Sequence, residues 1–99
     1  MTVEVRLAGA LRPDAGGAAS VQVDLAGAEP PTLRALLERL ERQQPGLVGR
    51  IRDERGAIRR HVNVFVGVEH CRELGGLDAP VDGTQPVSIL PAVSGGGLG

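Results

Sequence analysis

Lysine, tryptophan and tyrosine are absent from this chain of 99 residues, and phenylalanine, cysteine and methionine occur once each. The single thiol, Cys71, cannot form an internal disulfide, and one cysteine cannot supply the several ligands of a structural zinc or an iron–sulfur cluster. Stability must therefore come from packing, and no metal or other bound cofactor is expected. Arginine carries all the basic charge, so no side-chain amine is present to accept an isopeptide bond. Eleven basic residues against 12 acidic ones leave a net charge of −1, without the basic excess of a nucleic-acid binder. No apolar run approaches the roughly 20 residues of a membrane helix. The opening Met-Thr-Val-Glu-Val-Arg also lacks the apolar centre of a signal peptide. Neither a nucleic-acid nor a membrane partner is expected, and the cytoplasm is the expected compartment. What remains, 41% apolar and 23% charged residues, is the composition of a soluble globular protein with one modest core.

Periodicity divides the chain into strands and one helix. Val3, Val5 and Leu7 alternate with Thr2, Glu4 and Arg6, and Val21, Val23 and Leu25 alternate with Ser20, Gln22 and Asp24, the period of strands with one buried face. Residues 8–19, rich in Gly, Ala, Pro and Asp, read as the long loop of an antiparallel hairpin. Thr32 sits where an N-cap belongs, and Leu33, Leu36, Leu37 and Leu40 form an apolar stripe, which predicts a helix to about Gln43 with Pro45 as its stop. Arg34 with Glu38, and Glu38 with Arg42, stand four apart on its outer face as a solvated surface. Leu47, Val48 and Ile51 suggest a short extra helical turn that closes the core, followed by a polar turn at residues 53–56. Val62, Val64 and Val66 share one face of a third strand, and His61, Asn63 and Phe65 share the other. A short strand is expected at residues 70–72, turns at Gly75-Gly76, Pro80 and Asp82-Gly83, and a last strand from Val87 to about Val93 with Val87 and Ile89 inward. The expected class is α+β: a mixed sheet of four to five strands with one main helix, the first and last strands parallel at the centre, as in a β-grasp domain. That domain is expected to occupy residues 1–93.

Residues 94–99 are nearly devoid of side chains: Gly95, Gly96, Gly97 and Gly99 lack a β-carbon. Such a tail is expected to be flexible and thin enough to thread a narrow channel. Six extended residues reach about 20 Å, enough to carry a terminal group into a partner's active site. The plain alternative is a disordered terminus with no role.

The segments Arg60-His61-Val62-Asn63-Val64-Phe65-Val66, Gly75-Gly76-Leu77-Asp78-Ala79-Pro80 and Val87-Ser88-Ile89-Leu90-Pro91-Ala92-Val93-Ser94-Gly95-Gly96, together with the helix region 32–47, resemble the ThiS/MoaD family of ubiquitin-like sulfur carriers in order and spacing. The Pro-Ala-Val-x-Gly-Gly ending is the most specific part. The resemblance implies a protein cosubstrate rather than an enzyme. An activating enzyme related to ubiquitin E1 would use ATP and magnesium to adenylate the Gly96 carboxylate, with Gly95 beside it in the channel. A sulfur donor would displace AMP to leave a thiocarboxylate, and a biosynthetic enzyme would accept the sulfur. Family chains ordinarily end at the glycine matched by Gly96, whereas here Gly97, Leu98 and Gly99 follow. Some members carry such residues, which a zinc-dependent JAMM-type peptidase removes, so cleavage is expected between Gly96 and Gly97. A Gly96-Gly97 pair trimmed by two residues, and direct use of Gly99, are the competing registers. The acceptor stays open among cysteine, thiamine, molybdopterin and a specialised metabolite, and the ending resembles the cysteine-forming branch somewhat more closely.

Among side chains, Phe65 with Leu90 would make an exposed apolar patch able to dock the activating enzyme, or would be core on a sheet covered on both sides. His61 stands where family members commonly place a bulky aromatic, and it joins Phe65 and Leu90 as a partner-binding candidate. His70 and Cys71 are adjacent, so they face opposite ways and cannot share an ion. Arg59 and Arg60 could meet an acidic partner or remain solvated charge. Two other functions share the fold. One is a ubiquitin-like modifier attached to lysines of other proteins through its activated glycine. The other is a β-grasp binding module with an inert tail.

Overall fold

The structure is a computed structural model of the chain, and it describes residues 1–91. Five strands, β1 (Thr2–Leu7), β2 (Ser20–Asp24), β3 (Val62–Val66), β4 (Glu69–His70) and β5 (Val87–Pro91), form one mixed sheet in the order β2-β1-β5-β3-β4. β1 and β5 pair in parallel at the centre, with Val5 beside Val87 and Leu7 beside Ile89, and the other pairings are antiparallel. One helix, α1 (Leu33–Gln43), crosses a single face of the sheet. This is the expected β-grasp arrangement. Residues 92–99 lie outside the described residues, and with them the expected continuation of the last strand to residue 93, the expected tail, Gly95, Gly96 and Gly97.

The periodicities sort side chains as anticipated. Val3, Val5, Val23, Val64, Val87 and Ile89 are fully shielded, as are Leu33, Leu36, Leu37 and Leu40, which α1 brings down on them. A buried Leu or Val contributes about 1.5–3 kcal/mol by leaving water, so this valine–leucine layer, not any polar contact, holds the fold. Among the described residues no polar or charged residue is fully buried. Thr32 caps α1, its Oγ1 accepting from the Ala35 N–H at 3.3 Å, and the Leu33 N–H donates to the Ala79 carbonyl, which ties the helix start to the segment before β5. Asp53 Oδ1 accepts from the Arg55 and Ala57 N–H groups, the polar turn expected there.

Three details differ from the sequence reading. Residues 8–19 are not a plain loop: a 3-10 turn, Gly9–Ala15, buries Leu11 and Ala15 in the core, beside β1 and residues 45–47. A 3-10 turn at Pro45–Leu47 follows α1, and Leu47 and Ile51 close the core as expected, but Val48 is 61% exposed because the chain turns outward after Leu47. The short fourth strand is Glu69–His70, and residues 71–74 form a 3-10 turn because Gly75, at φ 102, lets the chain reverse there. Arg34, Glu38 and Arg42 are exposed, the solvated helical surface expected, and α1 in addition forms ion pairs across the fold. Arg34 Nη1 lies 2.6 Å from Asp78 Oδ1, and Glu41 accepts two bonds from Arg52 at 3.0 and 2.6 Å. Neighbouring segments offer fixed partners, whereas a pair four residues apart would have to order two mobile side chains on an exposed face.

Candidate functional site

The sheet face opposite α1 carries no covering element among the described residues, and its side chains come from all five strands. Pairing register alone assembles one row: His70 of β4 is opposite Phe65 of β3, Phe65 is opposite Ser88 of β5, and Ser88 is beside Arg6 of β1. In the next row Asn63 is opposite Leu90. Phe65, Leu90, Ser88 and Ala8 line a shallow hollow of about 340 Å³ on this face. Leu90 is 41% exposed and Phe65 is half-buried, so neither is core in the manner of Val64 or Ile89. Two large apolar side chains left open at the middle of a sheet form the kind of surface that gains free energy when a partner covers it.

Phe65 is held rather than loose. The His70 ring meets it edge to face, with centroids 5.2 Å apart and an interplanar angle of 71°. His70 is itself held at both ring nitrogens. Nδ1 accepts from the Arg72 N–H at 3.2 Å, which leaves the proton on Nε2 to donate to Asn63 Oδ1 at 3.1 Å. An Asn–His–Phe brace therefore fixes the ring at the patch. Sequence reading singled out Phe65 and Leu90 and missed His70 as their neighbour. The signal was present in the tight turn at Gly67 and Val68, which obliges the residue two before it to face the residue two after it.

The remaining candidates are not all in this hollow. His61 is exposed and lies just before β3, in a second hollow with Arg50, Arg59, Leu11 and Pro91 where β5 gives way to the tail. The structure thus places Phe65 and Leu90 together and His61 on the far side of Pro91. The strand alternation expected of His70 and Cys71 does not apply, because Cys71 opens the 3-10 turn; it is buried at 4% exposure and lines a further hollow together with His70. Burial pushes its thiol pKa up, so the reactive thiolate is disfavoured. Among the described residues no three His, Cys, Asp or Glu side chains gather as a metal site would need.

The comparison that decides the family spans almost the whole chain: the ThiS family model matches residues 5–96. The chain belongs to the ThiS family. The sulfur carrier protein CysO of Mycobacterium tuberculosis is 38% identical over 98 residues, covering 97% of this chain and all of that protein. Among solved structures, a chain of the Amycolatopsis orientalis BexX/CysO complex superposes with a TM-score of 0.81 at 32% identity, over 94% of this chain and 98% of its own length. SAMP1 of Haloferax volcanii superposes with a TM-score of 0.81 at 26% identity, covering 96% and 99%. The fold of this ThiS-family chain is therefore the ubiquitin-like β-grasp of these proteins. The family match ends at Gly96, the second residue of the first glycine pair of the tail.

Proposed function

We infer that the chain is a sulfur-carrier protein whose working group is the Gly96 carboxylate, exposed by removal of Gly97, Leu98 and Gly99. The observation that carries this reading is the family match, which runs from residue 5 through the glycine pair and stops at Gly96. The likeness to CysO supports the carrier role. A JAMM-type zinc peptidase cleaves the Gly96–Gly97 bond. An E1-like enzyme docks on the hollow around Phe65 and Leu90 and, with ATP and magnesium, joins a Gly96 carboxylate oxygen to the α-phosphate of ATP as pyrophosphate leaves. The carboxylate is a poor electrophile, and the acyl phosphate supplies it with a good leaving group. A sulfide-equivalent donor then attacks the carbonyl carbon and expels AMP, leaving a thiocarboxylate for a sulfur-accepting biosynthetic enzyme in the cytoplasm. The carrier contributes a positioned carboxyl group and a docking body, not catalytic side chains.

A second reading, a ubiquitin-like modifier joined to lysines of other proteins, is favoured by the close superposition on SAMP1. Both use the same activated glycine. Chains of this protein linked through its own lysines are excluded in either case, because it has none. Intact-mass analysis of protein taken from its own cells, without alkylation, separates the readings. Loss of Gly-Leu-Gly with one terminal oxygen replaced by sulfur is the expected result. Full-length chains alone would end the trimming proposal, and a Gly96 remnant on lysines of other proteins would favour the modifier.

A further inference from the structure

Two hollows flank the end of β5, and only the apolar one has a role above. The other, about 430 Å³, is lined by Leu11, Gly49, Arg50, Arg59, His61 and Pro91 among others. Its floor is apolar and its rim is basic. Both guanidinium groups are fixed through Nε: Arg59 Nε donates to the Gly49 carbonyl at 2.7 Å, and Arg50 Nε lies 2.9 Å from Asp14 Oδ2. The Arg59 backbone N–H donates to the carbonyl of Ile51, a fully buried residue, so this arginine is anchored at main chain and side chain. Asp14 offsets Arg50, whereas Arg59 has no acidic partner within 4 Å among the described residues. A guanidinium held by Nε presents its two terminal nitrogens outward, the geometry that takes a carboxylate side-on with little entropy left to lose.

We propose that this basic hollow at the root of the tail is a docking point for an Asp or Glu side chain of the enzyme that activates the tail. It forms an electrostatic anchor beside the apolar one at Phe65 and Leu90. The inference rests on the sulfur-carrier reading. Position carries it: Gly96 is five residues beyond Pro91, so an enzyme holding Gly96 in its active site comes within about 17 Å of the hollow. Anchors on both sides of the end of β5 fix the rotation of the domain about the tail as well as its position, which one apolar patch cannot do. The occupant follows from the chemistry. A nucleic acid needs a basic stripe with stacking aromatics, and this chain has a net charge of −1 and one aromatic residue, on the other hollow. Free phosphate would meet the Asp14 carboxylate together with Arg50, whereas a single carboxylate needs only the Arg59 fork with His61 beside it.

The test has two arms. In the first, the adenylating enzyme that activates this chain is assayed by pyrophosphate release with wild type, Arg59→Glu and Arg59→Gln at low and high salt. Arg59→Gln keeps a donor for the Gly49 carbonyl and loses the charge and the two terminal nitrogens, and circular dichroism confirms that both variants are folded. The expected result is a KM about tenfold higher for Arg59→Glu and a smaller rise for Arg59→Gln. Turnover is unchanged, the salt dependence seen with wild type is absent from Arg59→Gln, and it is reversed in Arg59→Glu, whose repulsion salt screens. An unaltered KM and salt dependence in both variants overturns the proposal. Should wild type not be adenylated at all, the sulfur-carrier reading fails by itself, and the second arm decides the hollow. There, amide shifts are followed during titration with a short glutamate-rich peptide, with inorganic phosphate and with a short RNA. Shifts at Gly49, Arg59 and His61 with the peptide, lost in Arg59→Gln, support a carboxylate site. Response to phosphate or RNA alone, or to none of the three, overturns it.

Discussion

The two faces of the sheet are built from the same strands and do opposite work. On the face under α1, alternate residues are Val, Leu and Ile with essentially no exposure, and the polar groups are those of the backbone, paired in the sheet. On the open face the intervening residues include Glu4, Arg6, Gln22, Ser88, Asn63 and His70, with Phe65 and Leu90 as the large apolar exceptions. A covered apolar residue stabilises the isolated chain. An open one contributes little until something covers it, so stability and recognition are separable here by a single residue step along a strand.

Substitutions on the two faces should therefore divide cleanly. Leu37→Ala removes a fully buried side chain of α1 and should cost about 3 kcal/mol in urea unfolding, the largest effect expected. Phe65→Ala should cost only about 1 kcal/mol, since the ring is half-buried and touches His70 on one edge, yet it should reduce adenylation by the partner enzyme tenfold or more. If Phe65→Ala unfolds the protein as readily as Leu37→Ala, the open face is core and the division fails. The smallest effect concerns Cys71 at the rim of the covered side. Its folded thiol holds its proton more tightly than the unfolded one, because burial penalises the thiolate. Stability is accordingly constant below the ordinary thiol range and declines as pH rises from there through the folded value. Urea midpoints of wild type and Cys71→Ala, compared across alkaline pH, should diverge in that window alone. Parallel curves would mean that the covered side is wet at this edge.

Much of the fold was legible because alternation and helical spacing report burial directly: Val62, Val64 and Val66 could face only one way once Phe65 and Asn63 faced the other. The helix was legible from cap to stop, Thr32 to Pro45. Val48 was misplaced because apolar character alone does not say on which side of a turn a residue emerges. The fourth strand was shifted because two residues carry too little periodicity to fix a boundary. At the candidate site, Phe65 and Leu90 were visible as apolar residues out of phase with the buried set, whereas the roles of His70 and Arg50 were not legible and Arg59, readable only as an arginine that could meet an acidic partner, could not be placed in a hollow, because their significance lies in neighbours distant along the chain.

By itself the sequence determined the alternation that makes one face apolar, the start and end of the helix, the absence of lysine, and the glycine tail with its family likeness. Each is a local property, written in residue order. Only the tertiary structure decided that Phe65 is braced by His70 and Asn63, that Arg34 and Glu41 bond across the fold to Asp78 and Arg52, and that Arg59 sits with His61 at the root of the tail. Those pairings depend on how strands and loops far apart in the chain are brought into register, and no window of sequence contains that information.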